Sequence, residues 1–130
     1  MDFLNYIDNY EQEIIKSTQE LIKIKSVKGE PLPRMPFGEG PYKALECMLD
    51  IGKEIGFEVK NLDGYAGHIE FGEGEETVGV LAHLDVVPEG DGWIYPPYGG
   101  EIHDDKIYGR GTTDDKGPAV ATLYAMKALK

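Results

Sequence analysis

The sequence predicts an α/β fold, a mixed β-sheet flanked by helices. Three observations carry this. Apolar residues recur at helical spacing in three separate stretches, two short alternating runs meet at an Asp-Gly turn, and one nearly continuous apolar run ends in a histidine. A chain of 130 residues is one domain's worth of polypeptide or a piece of a larger one. Its 41% hydrophobic content suits a folded protein rather than a disordered one.

The elements follow in order. Ile7, Tyr10, Ile14, Leu21 and Ile24 share a helical face, which predicts one amphipathic helix over 2–25. Three prolines and three glycines make 28–40 a loop. A second helix is expected over 41–55, with Pro41 in its first turn and Gly56 as its C-terminal stop. Phe57–Lys60 and His68–Phe71 alternate and read as strands joined through Asp63-Gly64. Thr77–His83 is apolar and small throughout, so it is expected to be an interior strand covered on both faces. Residues 87–99 form a long loop around Trp93. Glu101–His103 and Lys106–Tyr108 read as a hairpin turning at Asp104-Asp105, and a last helix starts near Pro118 and runs to Lys130. No capping residue closes that helix, so the sequence is expected to be cut rather than completed.

Composition narrows the function. A net charge of -11 disfavours nucleic acid and anionic membranes as partners, because phosphate binding needs clustered Lys and Arg. The single Cys47 excludes an internal disulfide, and its apolar helical setting reads as a buried structural thiol. The first residues lack the basic and apolar regions of a signal peptide, and no apolar run is long enough to span a bilayer. The expected compartment is the cytoplasm.

The chemistry sits in two segments. His83 and Asp85 are two apart at the end of the apolar run, so on a strand they leave the same face. A neutral imidazole is a good ligand for a divalent transition metal, and its second N–H is usually held by a carboxylate, a role open to Asp85. Asp114 lies in a glycine-rich loop before a helix, where a carboxylate can bridge two cations. Each has a plainer reading: a surface His and Asp at a strand end, and Asp114 or Asp115 as a helix N-cap with Pro118 in the first turn. Trp93 reads as a packing anchor of its loop, His68 and His103 as exposed strand residues, and Arg110 as either an ion-pair partner or a substrate contact.

The combination is more specific. His83-x-Asp85-Val-Val-Pro88, then Gly92-Trp93, Pro96-Pro97 and Tyr108-Gly-Arg-Gly-x-x-Asp114-Asp-Lys-Gly117 resembles, in order and spacing, the M20 family of metallopeptidases, and within it the cytoplasmic dipeptidases of the PepV type. The resemblance implies the first part of a zinc-peptidase-like catalytic domain, with the lid domain absent. It implies two divalent metal ions, zinc first, with manganese or cobalt as alternatives. His83 would be a ligand of one ion, Asp114 would bridge both, and Asp85 would be the catalytic carboxylate that orients His83. The bond between Asp114 and Asp115 would be cis. The substrate would be a small peptide, hydrolysed with a glutamate as general base. The Glu-Glu pair, a further Asp and a distant His that complete such a site are not assignable here, so metal binding by this chain is expected to be weak and hydrolysis by it alone absent. Two other readings stay open: an M20 amidohydrolase acting on N-acyl amino acids, and a non-catalytic module that self-associates through an incomplete sheet edge.

Overall fold

The computed structural model describes residues 2–130. It contains four helices and two antiparallel hairpins, an α/β architecture. Helix α1 (Phe3–Asn9) starts on Asp2, whose carboxylate accepts the Leu4 N–H at 3.2 Å. Helix α2 (Glu11–Ile22) follows after a break at Tyr10, so the single helix expected over 2–25 is two. Asp8 and Asn9 disfavour helix interiors, and α1 buries nothing that would hold it in line with α2. Tyr10 instead packs at 6.2 Å against the Tyr124 ring.

Helix α3 (Glu39–Ile55) begins two residues earlier than expected and ends on Gly56, whose φ of 104° is the left-handed conformation that glycine tolerates best. It packs on strands β1 (Glu58–Leu62) and β2 (Ala66–Glu70), which pair antiparallel with Val59 opposite Ile69. The approach is close: a Cβ on Gly52 would lie 2.8 Å from Ile69 Cδ1. Strands β3 (Glu101–His103) and β4 (Lys106–Tyr108) form the expected second hairpin. Asp104 and Asp105 both have positive φ there, as a two-residue hairpin turn of the primed kind requires.

Helix α4 (Lys116–Leu129) lies against α1 and α2. Leu21, Val120 and Tyr124 form one core cluster; Ile51, Phe57 and Leu123 form a second. Cys47, Met48 and Ile55 pack on both and join them. Cys47 is half-buried rather than buried as expected, and burial pushes its thiol up to about 11, with the nearby Glu20 and Asp50 charges adding to the rise.

The expected interior strand is the main difference. Residues 77–83 form no strand and are exposed, Val78 at 93% and Leu81 at 98%. A strand needs neighbours for its N–H and C=O groups. Among the described residues each hairpin pairs only with itself, so nothing flanks this run. The chain is held again just after it. The Ser26 hydroxyl donates to the Leu84 carbonyl at 2.6 Å, and the Val86 N–H donates to the Ser26 carbonyl at 3.1 Å.

Candidate metal centre

His83, Asp85 and Asp114 come together at the surface. The His83 ring points its Nε2 at Asp114 Oδ1, 3.0 Å away, and its Nδ1 at Asp85, 3.1 Å from the carbonyl and 3.3 Å from Oδ1. The ring is thus held from both ends. A donor on Nδ1 leaves Nε2 as the atom facing the carboxylate that lies 31 residues further along the chain. The shared-face argument for His83 and Asp85 therefore reaches the right contact, although no strand carries it.

Asp114 is presented by the loop 109–115. Gly111 has a φ of 93°, and a Cβ there would lie 2.8 Å from Val86 Cγ1. Only glycine lets this loop close on the His83 segment so tightly. The peptide bond between Asp114 and Asp115 is cis, as the family resemblance implies. Asp115 occupies the N-cap position of α4 but makes no capping bond with its side chain. That carboxylate instead accepts the His83 backbone N–H at 3.1 Å. Both halves of the Asp114-Asp115 pair thus face His83.

Burial lowers the His83 pKa, but the bonds to the Asp85 carbonyl and the Asp114 carboxylate, with the charges of Asp85 and Asp115, outweigh it and raise the value. The ring attracts a proton between Nε2 and Oδ1, and a divalent cation would compete for the same place. The donors suit one. Zinc takes imidazole nitrogen and carboxylate oxygen at roughly 2.0–2.2 Å, which sets neighbouring tetrahedral ligands about 3.3 Å apart. The observed 3.0 Å is close to that spacing. Among the described residues, no group of three or more His, Cys, Asp and Glu side chains is arranged to hold a metal ion. These residues provide a pair of ligands rather than a closed centre.

The pair opens on a cleft of about 220 Å³, also lined by Val86, Val87, Arg110 and Thr113. This admits ions and water but is smaller than the roughly 300–1,000 Å³ of an ordinary ligand pocket. Among the described residues Arg110 forms no carboxylate pair. It lies over the Trp93 ring at 5.3 Å, its Nη2 donates to the Glu89 carbonyl at 3.4 Å, and its Nε is buried without a partner. Trp93 anchors its loop as expected, donating from Nε1 to the Glu89 carbonyl at 2.8 Å. Glu89 also takes the Tyr98 hydroxyl at 2.8 Å and Lys25 at 3.0 Å. The bond from its own N–H, then those from Tyr98 and Lys25, hold its carboxyl down to about 2. His68 is exposed as expected. His103 is not a free surface residue: it stacks on Tyr95 at 3.6 Å and faces Glu101 at 3.1 Å. Tyr95 supplies a flat apolar surface that the strand pattern alone does not reveal.

Two residues near the site escape the sequence reading. Ser26 and Lys116 are both fully buried. Lys116 donates from Nζ to the Leu21 and Ile24 carbonyls, each at 2.7 Å. Burial pulls its ammonium down to about 8. Its position was a usable signal, because Lys116, Val120, Leu123 and Tyr124 fall on one helical stripe and the lysine is the charged member of an apolar face.

The chain is 50% identical over 121 residues to a Bacillus subtilis protein and 43% identical over 125 residues to one from Staphylococcus haemolyticus, both bearing the name "putative dipeptidase". These alignments cover 92% and 95% of the chain but 26% and 27% of the relatives, so the chain spans about a quarter of their length. Its fold superposes on the crystal structure of human carnosine dipeptidase 1 with a TM-score of 0.70 and 28% identity, over 98% of this chain and 31% of that one. Residues 79–130, which hold His83, Asp85 and Asp114, match the model of peptidase family M20/M25/M40, the family that this part of the chain is similar to.

Proposed function

We propose that this chain is the N-terminal portion of the catalytic domain of a metal-dependent dipeptidase and contributes part of a dinuclear site. His83 is a ligand of one divalent ion through Nε2, and Asp114 bridges two. Asp85 holds Nδ1, which fixes the ring and raises its basicity. The observation that carries this reading is the 3.0 Å approach of His83 Nε2 to Asp114 Oδ1 with the other ring nitrogen held by Asp85. Divalent ions bound there, zinc first and manganese or cobalt as alternatives, would polarise a scissile carbonyl and make water nucleophilic near neutral pH. The cleft beside the pair forms one wall of a small-peptide site. Two ligands bind a cation weakly, so the chain alone is inactive. The names of the relatives favour dipeptides over N-acyl amino acids. No helix among the described residues is long and apolar enough to cross a membrane, and we place the protein in the cytoplasm.

The test is a substrate panel of dipeptides and N-acyl amino acids, with and without added zinc, manganese or cobalt. It is run on this chain and on a longer protein that carries it. Metal-dependent cleavage of dipeptides by the longer protein, lost in His83→Ala and Asp114→Asn, supports the reading. Cleavage that survives both substitutions and a chelator contradicts it.

A second reading has its own observation. The exposed run 77–83 leaves backbone groups and Val78, Val80 and Leu81 uncovered, which suits pairing with a second copy of the chain. Sedimentation of the chain without metal separates the two: a stable dimer with no metal affinity favours assembly over catalysis.

A further inference from the structure

We propose that Ser26 and Lys116 are positioning residues that set His83 against Asp114 by tying both segments to one anchor, the C-terminal end of α2 and the residues just after it. His83 and Asp114 do not hold each other. Their side chains are 53% and 84% exposed, and an ion pair in that much water contributes little. Something beneath them must fix the distance.

The anchor spans residues 21–26. On one side, Ser26 binds the segment that carries His83 and Asp85 twice, through its hydroxyl to the Leu84 carbonyl and through its carbonyl from the Val86 N–H. On the other, Lys116 reaches back to the Leu21 and Ile24 carbonyls. The Leu21 carbonyl, in the last turn of α2, also accepts the Ile24 N–H at 3.1 Å, and the negative end of the helix dipole makes a cation well placed beside it. The same lysine closes the loop bearing Asp114: its N–H donates to the Gly111 carbonyl at 2.9 Å. Its stem runs beside Gly111, where a Cβ would lie 3.2 Å from Lys116 Cδ. Asp114 and Asp115, which precede it, are the two carboxylates of this loop that meet His83.

A buried ammonium is costly to desolvate, and an apolar side chain of similar length would fill the space more cheaply. Placing the loop gives the charge a use that packing does not. Ser26 fits the same account, since alanine would fill most of its volume without the bond to Leu84.

The metal arm of the test rests on the proposed function; the other arm does not. Lys116→Met keeps the stem and removes the charge. Ser26→Ala removes the hydroxyl, and Ser26→Thr restores it. Each variant is checked for cooperative unfolding. Then zinc affinity is measured by chelator competition. Exchange protection of the His83 amide and the ring nitrogen shifts of His83 are read by NMR at fixed pH without metal. Folded Lys116→Met and Ser26→Ala should bind zinc about 10-fold or more weakly, the usual scale for residues that orient ligands. They should also lose His83 amide protection and move the Nε2 shift, while Ser26→Thr returns both towards the parent. Unchanged His83 signals in folded variants overturn the inference whatever the zinc result. If Lys116→Met does not fold, the Ser26 pair decides alone. If the parent binds no zinc but the variants lose the His83 signals, the proposed function fails and this inference stands.

Discussion

The Asp115 carboxylate accepts the His83 backbone N–H at 3.1 Å, so the residue next to the proposed bridging ligand grips the main chain of the other ligand. The N-cap position of α4 therefore contributes nothing to its own helix through the side chain. Asp115→Ala should leave the helix content unchanged and lower zinc affinity by about 10-fold, the range for residues that orient ligands. Asp115→Asn, which keeps an acceptor oxygen, should lose less. Circular dichroism and zinc competition on the two variants check this.

The raised pKa of His83 gives a pH dependence of definite sign. In the chain without metal, the protonated ring is favoured in the folded state, so its contribution to stability is full below the ordinary histidine pKa. It is lost as pH rises through the raised folded value. His83→Asn should therefore lower the melting temperature at pH about 5 and leave it unchanged at pH about 8.5. Zinc affinity should run the other way, weakening as pH falls through the same value, because proton and metal compete for Nε2. Thermal melts and zinc titrations across this range check both signs.

Tyr98 is pushed up to about 12, first by burial and then by its bond to Glu89. Glu89→Gln removes the charge and leaves the burial. The Tyr98 pKa should then fall towards the ordinary value near 10 without reaching it. Following the Tyr98 ring carbons by NMR through an alkaline titration measures this. An unshifted value would mean that Glu89 does not hold the 87–99 loop through Tyr98.

Gly111→Ala introduces a side chain where φ is 93° and the new Cβ would lie 2.8 Å from Val86 Cγ1. Alanine at positive φ destabilises by more than about 1 kcal/mol, and the clash adds to that. The loop must swing away from Val86, carrying Asp114 with it. Chemical denaturation and zinc affinity should both show a loss.

Much of the fold was legible because it rests on local signals. Gly56 ends α3, Asp63-Gly64 turns the first hairpin, and Asp104-Asp105 turns the second. The break at Tyr10 was not, because helical periodicity is indifferent to whether the axis stays straight. The run 77–83 reads as an interior strand, yet among the described residues it finds no neighbour, and pairing is not a property of one segment. For the site, residue type and position offered His83, Asp85 and Asp114 as candidates, the family resemblance implied their roles, and the three meet. Ser26 left no mark because its partner is a backbone carbonyl far away in sequence, whereas Lys116 showed only as a charge on an apolar helical stripe, its carbonyl partners being equally remote.

The central claim is that His83 and Asp114 share one divalent cation. Cobalt titration of the chain tests it most directly, since the ion's visible absorption reports its ligands. The account predicts a weak saturable site whose absorption changes form in both His83→Ala and Asp114→Ala and is untouched by His68→Ala. Cobalt binding that is identical in all three variants and the parent would contradict it.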